Sequence, residues 1–227
     1  MSNLMRNPMR NPWEEIDLSD YENHMSLDSV MQLQAMNSMM KSQFDSYPAK
    51  SVMILGVAGG NGLEHISCSR FSAIYGVDVN ADYLKEVMLR YPHLESVLHC
   101  ICLDLTRDSA ALPHADLLIA NLLIEYIGYD AFCRTVRHVS PAYVSCVIQI
   151  NTDETQWVSD SPYLHVFDGL DEIHHQMDAD TLTEVMRSIG YSLVSQSSEA
   201  LPNGKALVRA DYEAQCLVPE LSRTSRD

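Results

Sequence analysis

The chain is poor in basic residues: 15 Lys+Arg stand against 31 Asp+Glu, a formal charge of -16. Only four lysines are present, Lys41, Lys50, Lys85 and Lys205. A surface this negative repels phosphate backbones and anionic bilayers, which argues against nucleic-acid and membrane partners. No apolar run approaches the ~20 residues that span a bilayer. The opening MSNLMRNPMRNPWEE carries two arginines with no apolar stretch behind them, so it does not read as a secretory signal. Its tandem MRNP reads instead as a flexible leader over residues 1–13. The six cysteines include no CxxC pair; the closest spacing is Cys100-x-Cys102. Four or five of them fall inside apolar patterns, which suits buried reduced thiols in a cytoplasmic protein better than a zinc site or disulfide framework.

What is present is enough apolar material for one core. At 227 residues and 46% hydrophobic composition, a single domain with a decorated end is expected. Residues 14–48 read as an N-terminal helical cap, helical over 14–46, with Val30, Met31, Ala35, Met36, Met39, Met40 and Phe44 at three- and four-residue steps and Pro48 closing it. From 49 to 213 the pattern alternates. SVMILGV (51–57), SAIYGVDV (72–79), SVLHCICLDL (96–105), ADLLIANLL (115–123) and AYVSCVIQI (142–150) read as strands, the first followed by a short helix to about Ser69. Helices are expected over 81–91, capped by Asn80, and over 125–139. Strands apolar on both faces between amphipathic helices indicate a parallel sheet covered on both sides. Residues 152–178 are polar and too long for an ordinary connection, so they read as an insertion. After a helix over 180–189, two runs joined through Asn203-Gly204 read as an antiparallel hairpin, and 214–227 as a tail. The expected fold is α/β: a seven-stranded, doubly wound, mostly parallel sheet with a C-terminal antiparallel hairpin.

Gly56-Val57-Ala58-Gly59-Gly60-Asn61-Gly62 falls where the first strand gives way to a helical stretch. Small residues there allow close backbone approach to a ligand, and a helix start offers free N–H groups. Asp78 ends the second strand, the position at which an acid accepts both ribose hydroxyls in nucleotide-binding βαβ units. Asp104 ends the third, where an acid can accept from an adenine amino group. Three successive strand ends thus present polar groups on one sheet edge. Two ligand classes fit: a nicotinamide dinucleotide and S-adenosylmethionine. Short-chain dehydrogenases pair such a turn with Tyr-x3-Lys, and the residues four before the lysines here are Asn37, Ser46, Ala81 and Leu201. A nicotinamide oxidoreductase is therefore the more distant alternative.

Over roughly residues 50–212 the sequence resembles the class I S-adenosylmethionine-dependent methyltransferases. ILGVAGGNG is similar to their first motif, YGVD to the ribose-binding motif, CLDL to the adenine-contacting strand end, ADLLIANLLIEYIG to the fourth motif of the small-molecule branch, and YSLVSQ with LPNGKALV to the closing hairpin. Two positions depart from the pattern. Gly56 stands where the first motif has an acid, and Ala58 where it has the first glycine. The resemblance implies that S-adenosylmethionine is held by Gly56, Ala58, Gly60, Gly62, Asp78, Val79, Asp104, Leu105, Asn121 and Leu122. It implies methyl transfer to a small-molecule acceptor. A catalytically inactive cofactor-binding or partner-binding module of the same fold stays open, as does the oligomeric state, a homodimer included.

Methyl transfer from a sulfonium requires mainly alignment of the acceptor and removal of its proton. Glu125 and Tyr126 follow the fourth strand and face the same edge; Glu125 reads either as acceptor ligand and base or as a carboxylate favoured in a helix's first turn. In the cap, Tyr21, His24 and Gln32 are the polar residues suited to line a pocket, with His24 either a base near neutrality or a surface histidine. Five of the twelve methionines lie between Met25 and Met40, as core packing or as a pliable cover. His165, His174 and His175 with Asp168, Asp171 and Glu172 crowd the insertion without metal-ligand spacing, so a solvated acidic loop is expected and no metal. Asn121-Leu122-Leu123-Ile124 lacks the Asn-Pro-Pro-aromatic signature of nucleic-acid amino-methylation.

Overall fold

The computed structural model describes residues 10–151 and 157–215; most of the leader, five residues of the insertion and the tail with Cys216 lie outside the described residues. Strands β1 (Ser51–Leu55), β2 (Ala73–Asp78), β3 (Leu98–Cys102), β4 (Leu117–Asn121), β5 (Tyr143–Ile150), β6 (Tyr191–Ala200) and β7 (Ala206–Ala214) form one sheet in the order 3-2-1-4-5-7-6. The first five are parallel, and β7 lies antiparallel between β5 and β6. The order reverses between β1 and β4, so the carboxyl ends of these strands open a crevice. β1 is buried along nearly its whole length and β4 through Ala120, as expected of strands covered on both faces.

Helices α1 (Leu18–Ser26), α2 (Gln32–Ser46), α3 (Ala81–Arg90), α4 (Ile124–Val139) and α5 (Ala179–Ser188) complete the described elements with four 3-10 turns. On one face, Met53 and Leu55 of β1 pack with Phe132 and Val136 of α4 and Leu182 and Met186 of α5. On the other, Val52 and Ile54 pack with Met40 and Phe44 of α2 and Leu84 and Val87 of α3. Asn80 caps α3 by accepting from the N–H groups of Asp82 and Tyr83, and Asp178 caps α5 by accepting from Thr181.

Several elements differ from the sequence expectation. The single helix over 14–46 is two, separated by a turn in which the N–H groups of Val30 and Met31 both reach the Leu27 carbonyl. Met31, counted as a helical position, sits at φ 56 as the N-cap of α2. α2 is also less a cap than a layer: Phe44 and Met40 are core, and Gln43 exchanges two 2.8 Å hydrogen bonds with Asn121. The network continues through Ser145 to Asp211, which is paired with Arg209 at 2.6 Å while both are nearly inaccessible. After the glycine-rich turn only a 3-10 turn forms, Leu63–His65, where a longer helix was expected. α4 is interrupted at Gly128 (φ 72, ψ 165), which sets its first turn apart from the rest. Of the five described cysteines only Cys133 and Cys146 are buried, fewer than the apolar pattern suggested, and all five are free thiols.

The insertion is not merely a solvated loop. Phe167 and Leu170 on its 3-10 turn (Leu164–Leu170) bury against Ile16, with Trp13, Tyr21, Tyr126, Trp157, Tyr163 and Ile173 packed around them. This apolar cluster joins the N-terminal segment to the insertion above the carboxyl edge of the sheet. Trp13, assigned to a flexible leader, is part of it, and Asn11 caps the turn Pro12–Glu14 with a reciprocal capping box. No described helix is long and apolar enough to cross a membrane.

Candidate functional site

The turn after β1 bends back over β2. Gly56 (φ +68) donates its N–H to the Val77 carbonyl at 2.8 Å, and Ala58 (φ +45) donates to Asp78 Oδ2 at 2.9 Å. The other carboxylate oxygen of Asp78 accepts from Asn80 N–H at 2.9 Å. Burial pushes the Asp78 carboxyl above the usual range, opposed by the N–H donors of Asn80, Ala58 and Val79. A Cβ built on Gly56 would lie 3.1 Å from Leu123 Cδ1, and the positive φ there strains any side chain, so an acid at this position would need Leu123 to shift. Across the crevice, Leu122 at the end of β4 also has positive φ (53) while its N–H reaches the Val147 carbonyl. Two non-glycine residues held in this sparsely populated region flank one cavity, an arrangement that concentrates at ligand sites.

The cavity has three communicating compartments, all walled by Tyr21 and Leu122. The first, about 680 Å³, is bounded by Asp78, Val79, Asp104, Leu105, Asn121 and Trp13 among others. The second, about 550 Å³, lies under the apolar cluster between His24, Gln32, Glu125, Tyr126, Gln149, Trp157 and His174. The third, about 560 Å³, follows the glycine-rich turn from Gly56 to Gly59 and is faced by Glu22, Met36, Met40 and Asn61.

Glu125 is the charged group of the second compartment. It is 3% exposed, one carboxylate oxygen accepts from Gln149 N–H at 2.8 Å, and Oε2 has no partner. Burial pushes its carboxyl up to about 7, against the pull of the Gln149 and Glu125 backbone N–H groups. The Gly128 interruption gives the turn carrying Glu125 and Tyr126 its own orientation. Tyr126 meets Trp13 edge-on, centroids 4.9 Å apart, and its hydroxyl is held well above its ordinary range by burial. Tyr21 meets Trp13 in the same way at 5.8 Å, and burial again raises its hydroxyl. His24, 4% exposed, shares a hydrogen bond of 2.8 Å with Ser161 Oγ; burial, then the Lys205 charge, pulls it down to about 4. Gln32 Nε2 donates to the side-chain carbonyl of Gln149.

The structure therefore brings Gly56, Ala58, Asp78, Val79, Asp104, Leu105, Asn121, Leu122, Tyr21, His24, Gln32, Glu125 and Tyr126 to one cavity. Gly60 and Gly62 are placed elsewhere. A Cβ on Gly60 would lie 2.7 Å from the Tyr91 ring and one on Gly62 2.5 Å from Met40 Cγ, so close packing under the turn occupies them. Neither lines a compartment. His24 is no surface histidine, and held near 4 it is neutral at ordinary pH. Of the insertion's histidines only His174 reaches the cavity; His165 pairs with Asp168 in solvent. Among the described residues no group of three His, Cys, Asp or Glu is placed to hold a metal ion.

Sequence reasoning missed Trp13, Asn11, Gln149, Trp157 and Glu22. Trp13 is partly buried, with its indole Nε1–H enclosed and unpartnered. Glu22, on α1, is gripped by Arg90 through 2.5 and 3.0 Å contacts. Its carboxylate lies against Gly59, 2.3 Å from where a Cβ would stand. The Asn11–Glu14 capping box and the two tryptophans, rare in this chain, were the signals that could have pointed there.

No protein-family model and no curated protein matches the chain. Solved structures do match in fold. Magnesium protoporphyrin IX methyltransferase from Synechocystis PCC 6803 with bound S-adenosylmethionine superposes with TM-score 0.64 at 9% identity, covering 91% of this chain and 95% of that one. The N-methyltransferase NodS from Bradyrhizobium japonicum WM9 gives 0.58 at 12% identity over 81% and 96%. The [4+2]-cyclase SpnF gives 0.60 at 10% identity over 82% and 83%. The chain has the class I methyltransferase fold. Since that fold also carries a cyclase, the reaction must be argued from the site.

Proposed function

We propose that the protein transfers a methyl group from S-adenosylmethionine to a small molecule held beside Glu125. The carrying observation is the division of one cavity into a compartment bearing Asp78 and Asp104 and a separate one bearing Glu125, with Tyr21 and Leu122 between them. The donor set fits the cofactor. Asp78 offers a buried carboxylate at a strand end for ribose hydroxyls, Asp104 an acceptor for an adenine amino group, and Trp13 an indole wall with an unspent N–H. The third compartment, along Gly56 to Gly59 with Asn61 and Asn121, suits the amino-acid part. Glu22 places a carboxylate there from α1, paired with Arg90, where position 56 has none.

When bound, the cofactor supplies a sulfonium methyl group that an acceptor atom takes as the S–C bond breaks and its electron pair stays on sulfur. This chain's residues do the rest. Tyr126, Trp157 and His174 shape the acceptor compartment and exclude water, which strengthens the electrostatic effect of Glu125 inside it. A carboxyl near 7 is matched to taking a proton from the acceptor at neutral pH. His24 and His174, both held near 4, act as neutral hydrogen-bonding walls. The free thiols of Cys133 and Cys146 agree with action in the cytoplasm.

Calorimetric titration with S-adenosylhomocysteine tests the cofactor half of this reading, and conversion of S-adenosylmethionine to S-adenosylhomocysteine with an acceptor tests the reaction. Binding without turnover across a broad acceptor set would favour the inactive-module alternative.

A further inference from the structure

We infer that the acceptor is a small molecule bearing a basic amino group, bound as a cation between Glu125 and the aromatic rings of the second compartment; this rests on the methyl-transfer reading above. Three observations converge. Glu125 Oε2 is buried and unpartnered, although a buried carboxylate oxygen left without a donor is costly. A ligand that donates a hydrogen bond removes that cost, and a cationic one also offsets the charge. Second, no cation among the described residues does so. The influences on the Glu125 carboxyl are its burial and two backbone N–H groups. Lys205, the nearby lysine, donates its Nζ to the Trp157 carbonyl and does not line the compartment.

Third, the rest of the described wall is uncharged and mostly aromatic, with Gln32, Gln149 and Ser159 among its polar members. Trp13, Tyr21, Tyr126, Trp157 and Phe167 supply rings, and His174 stacks on Trp157. Ring faces attract alkylammonium groups, most strongly where water is excluded. An anionic acceptor meets a carboxylate with no counter-charge in the lining. A neutral hydroxyl acceptor satisfies the hydrogen bond but leaves the buried charge uncompensated. The amino group answers both.

The chemistry balances. Glu125 Oε2 takes one proton from the bound ammonium, which frees the nitrogen lone pair. That pair forms the new N–C bond while the S–C bond breaks with its electrons retained on sulfur as a thioether. The product leaves as a methylammonium, and Glu125 returns its proton to solvent.

The test is binding to protein saturated with S-adenosylhomocysteine, read by ligand-observed NMR and thermal shift. The probes are amine–alcohol isostere pairs, with benzylamine against benzyl alcohol and cyclohexylamine against cyclohexanol among them. At least one amine is expected to bind about 10-fold or more tightly than its alcohol, as a charge-assisted contact implies. Glu125→Gln is expected to erase the preference. Alcohols equal to or tighter than their amines in every pair, or a preference that survives Glu125→Gln, overturns the inference. A readout in the wild-type protein covers the case in which the variant misfolds: the carboxyl-carbon NMR titration midpoint of Glu125 falls when amine is bound and stays put with alcohol. An unmoved midpoint with amine bound overturns it equally. Failure of S-adenosylhomocysteine itself to bind would sink the methyl-transfer reading instead, so the two failures are distinguishable.

Discussion

The indole of Trp157 and the imidazole of His174 lie face to face, centroids 4.0 Å apart and planes 12° from parallel. The Trp157 carbonyl accepts from Gln149 Nε2 at 3.0 Å and from Lys205 Nζ, so this stacked wall is tied to β5 and to the hairpin turn. Trp13, the chain's other tryptophan, borders the first compartment as well as the second. Intrinsic fluorescence therefore reports on the cavity from two sides. Adding S-adenosylhomocysteine is expected to change the emission of wild type and of Trp157→Phe, and to change that of Trp13→Phe much less. A response confined to Trp157 would place the cofactor in the wrong compartment.

Asp78 accepts from two backbone N–H groups of the fold and, in the proposed function, also from the cofactor. Asp78→Asn keeps a carbonyl for one backbone N–H but loses the charge, and S-adenosylhomocysteine affinity is expected to fall at least ~10-fold by calorimetry. The loss of a charged acceptor for Ala58 or Asn80 should also lower stability by about 1–2 kcal/mol in urea. Wild-type affinity in a folded Asp78→Asn protein would remove this residue from the cofactor site.

Ala58 adopts φ +45, a conformation that costs an L-residue about 1–2 kcal/mol and glycine almost nothing. Glycine gives back about 0.5–1 kcal/mol through the freedom of the unfolded chain. Ala58→Gly should thus lie between neutral and about 1 kcal/mol more stable in denaturant titration. A clear destabilisation would mean that the Ala58 methyl makes a needed contact.

Glu125 carries a pH signature whose sign is set by its raised carboxyl. Between the ordinary Glu value and about 7 the folded state binds a proton that the unfolded state has lost, so its contribution favours folding at low pH and fades as pH rises through about 7. His24 and His174, pulled down to about 4, act oppositely: their neutral folded forms favour stability above the ordinary histidine value and lose it toward 4. The stability difference between wild type and Glu125→Gln isolates the carboxyl. It is expected to shift against wild type from about pH 4.5 to about 7 and to level off above. Melting curves across pH check this, and a flat difference would show an unperturbed Glu125.

The Arg209–Asp211 pair beneath α2 is buried on both sides, at 10% and 4% side-chain exposure. Removing one partner strands the other, so Asp211→Ala is expected to cost about 3–5 kcal/mol, whereas joint replacement by Met and Leu costs far less. Chemical denaturation of the two variants beside the wild type decides between these.

The sheet was legible because its determinants are local. IYGVD fixes Asp78 at a strand end, and Asn203-Gly204, with Gly204 at φ +81, turns the hairpin as its sequence demands. Cofactor-side positions followed from strand ends, where a two-residue period leaves little choice of face. The break between α1 and α2 was not legible: Leu27 to Met31 contains neither glycine nor proline, and apolar residues continue the helical spacing across it. Gly60 and Gly62 read as ligand contacts because sequence shows that a residue is small, not whether Tyr91 and Met40 or a cofactor fill the space. The second compartment was half legible. Glu125, Tyr126, Tyr21, His24 and Gln32 stood out by type, whereas Trp157 and Phe167 lie in a stretch without periodicity, and their partner Ile16 comes from the other end of the chain.

That last pairing bears on how the cavity opens. The cluster of Ile16, Phe167 and Leu170 closes a long chain loop and stands apart from the packed faces of the sheet. It can form only once the sheet has brought its two ends together, and it can part without exposing β1 or β4. Amide hydrogens of Leu18–Ser26 and Leu164–Leu170 are therefore expected to exchange as one cooperative unit, faster than those of the central strands. Entry to the interior then costs only the opening free energy of that unit, a fraction of what unfolds the protein.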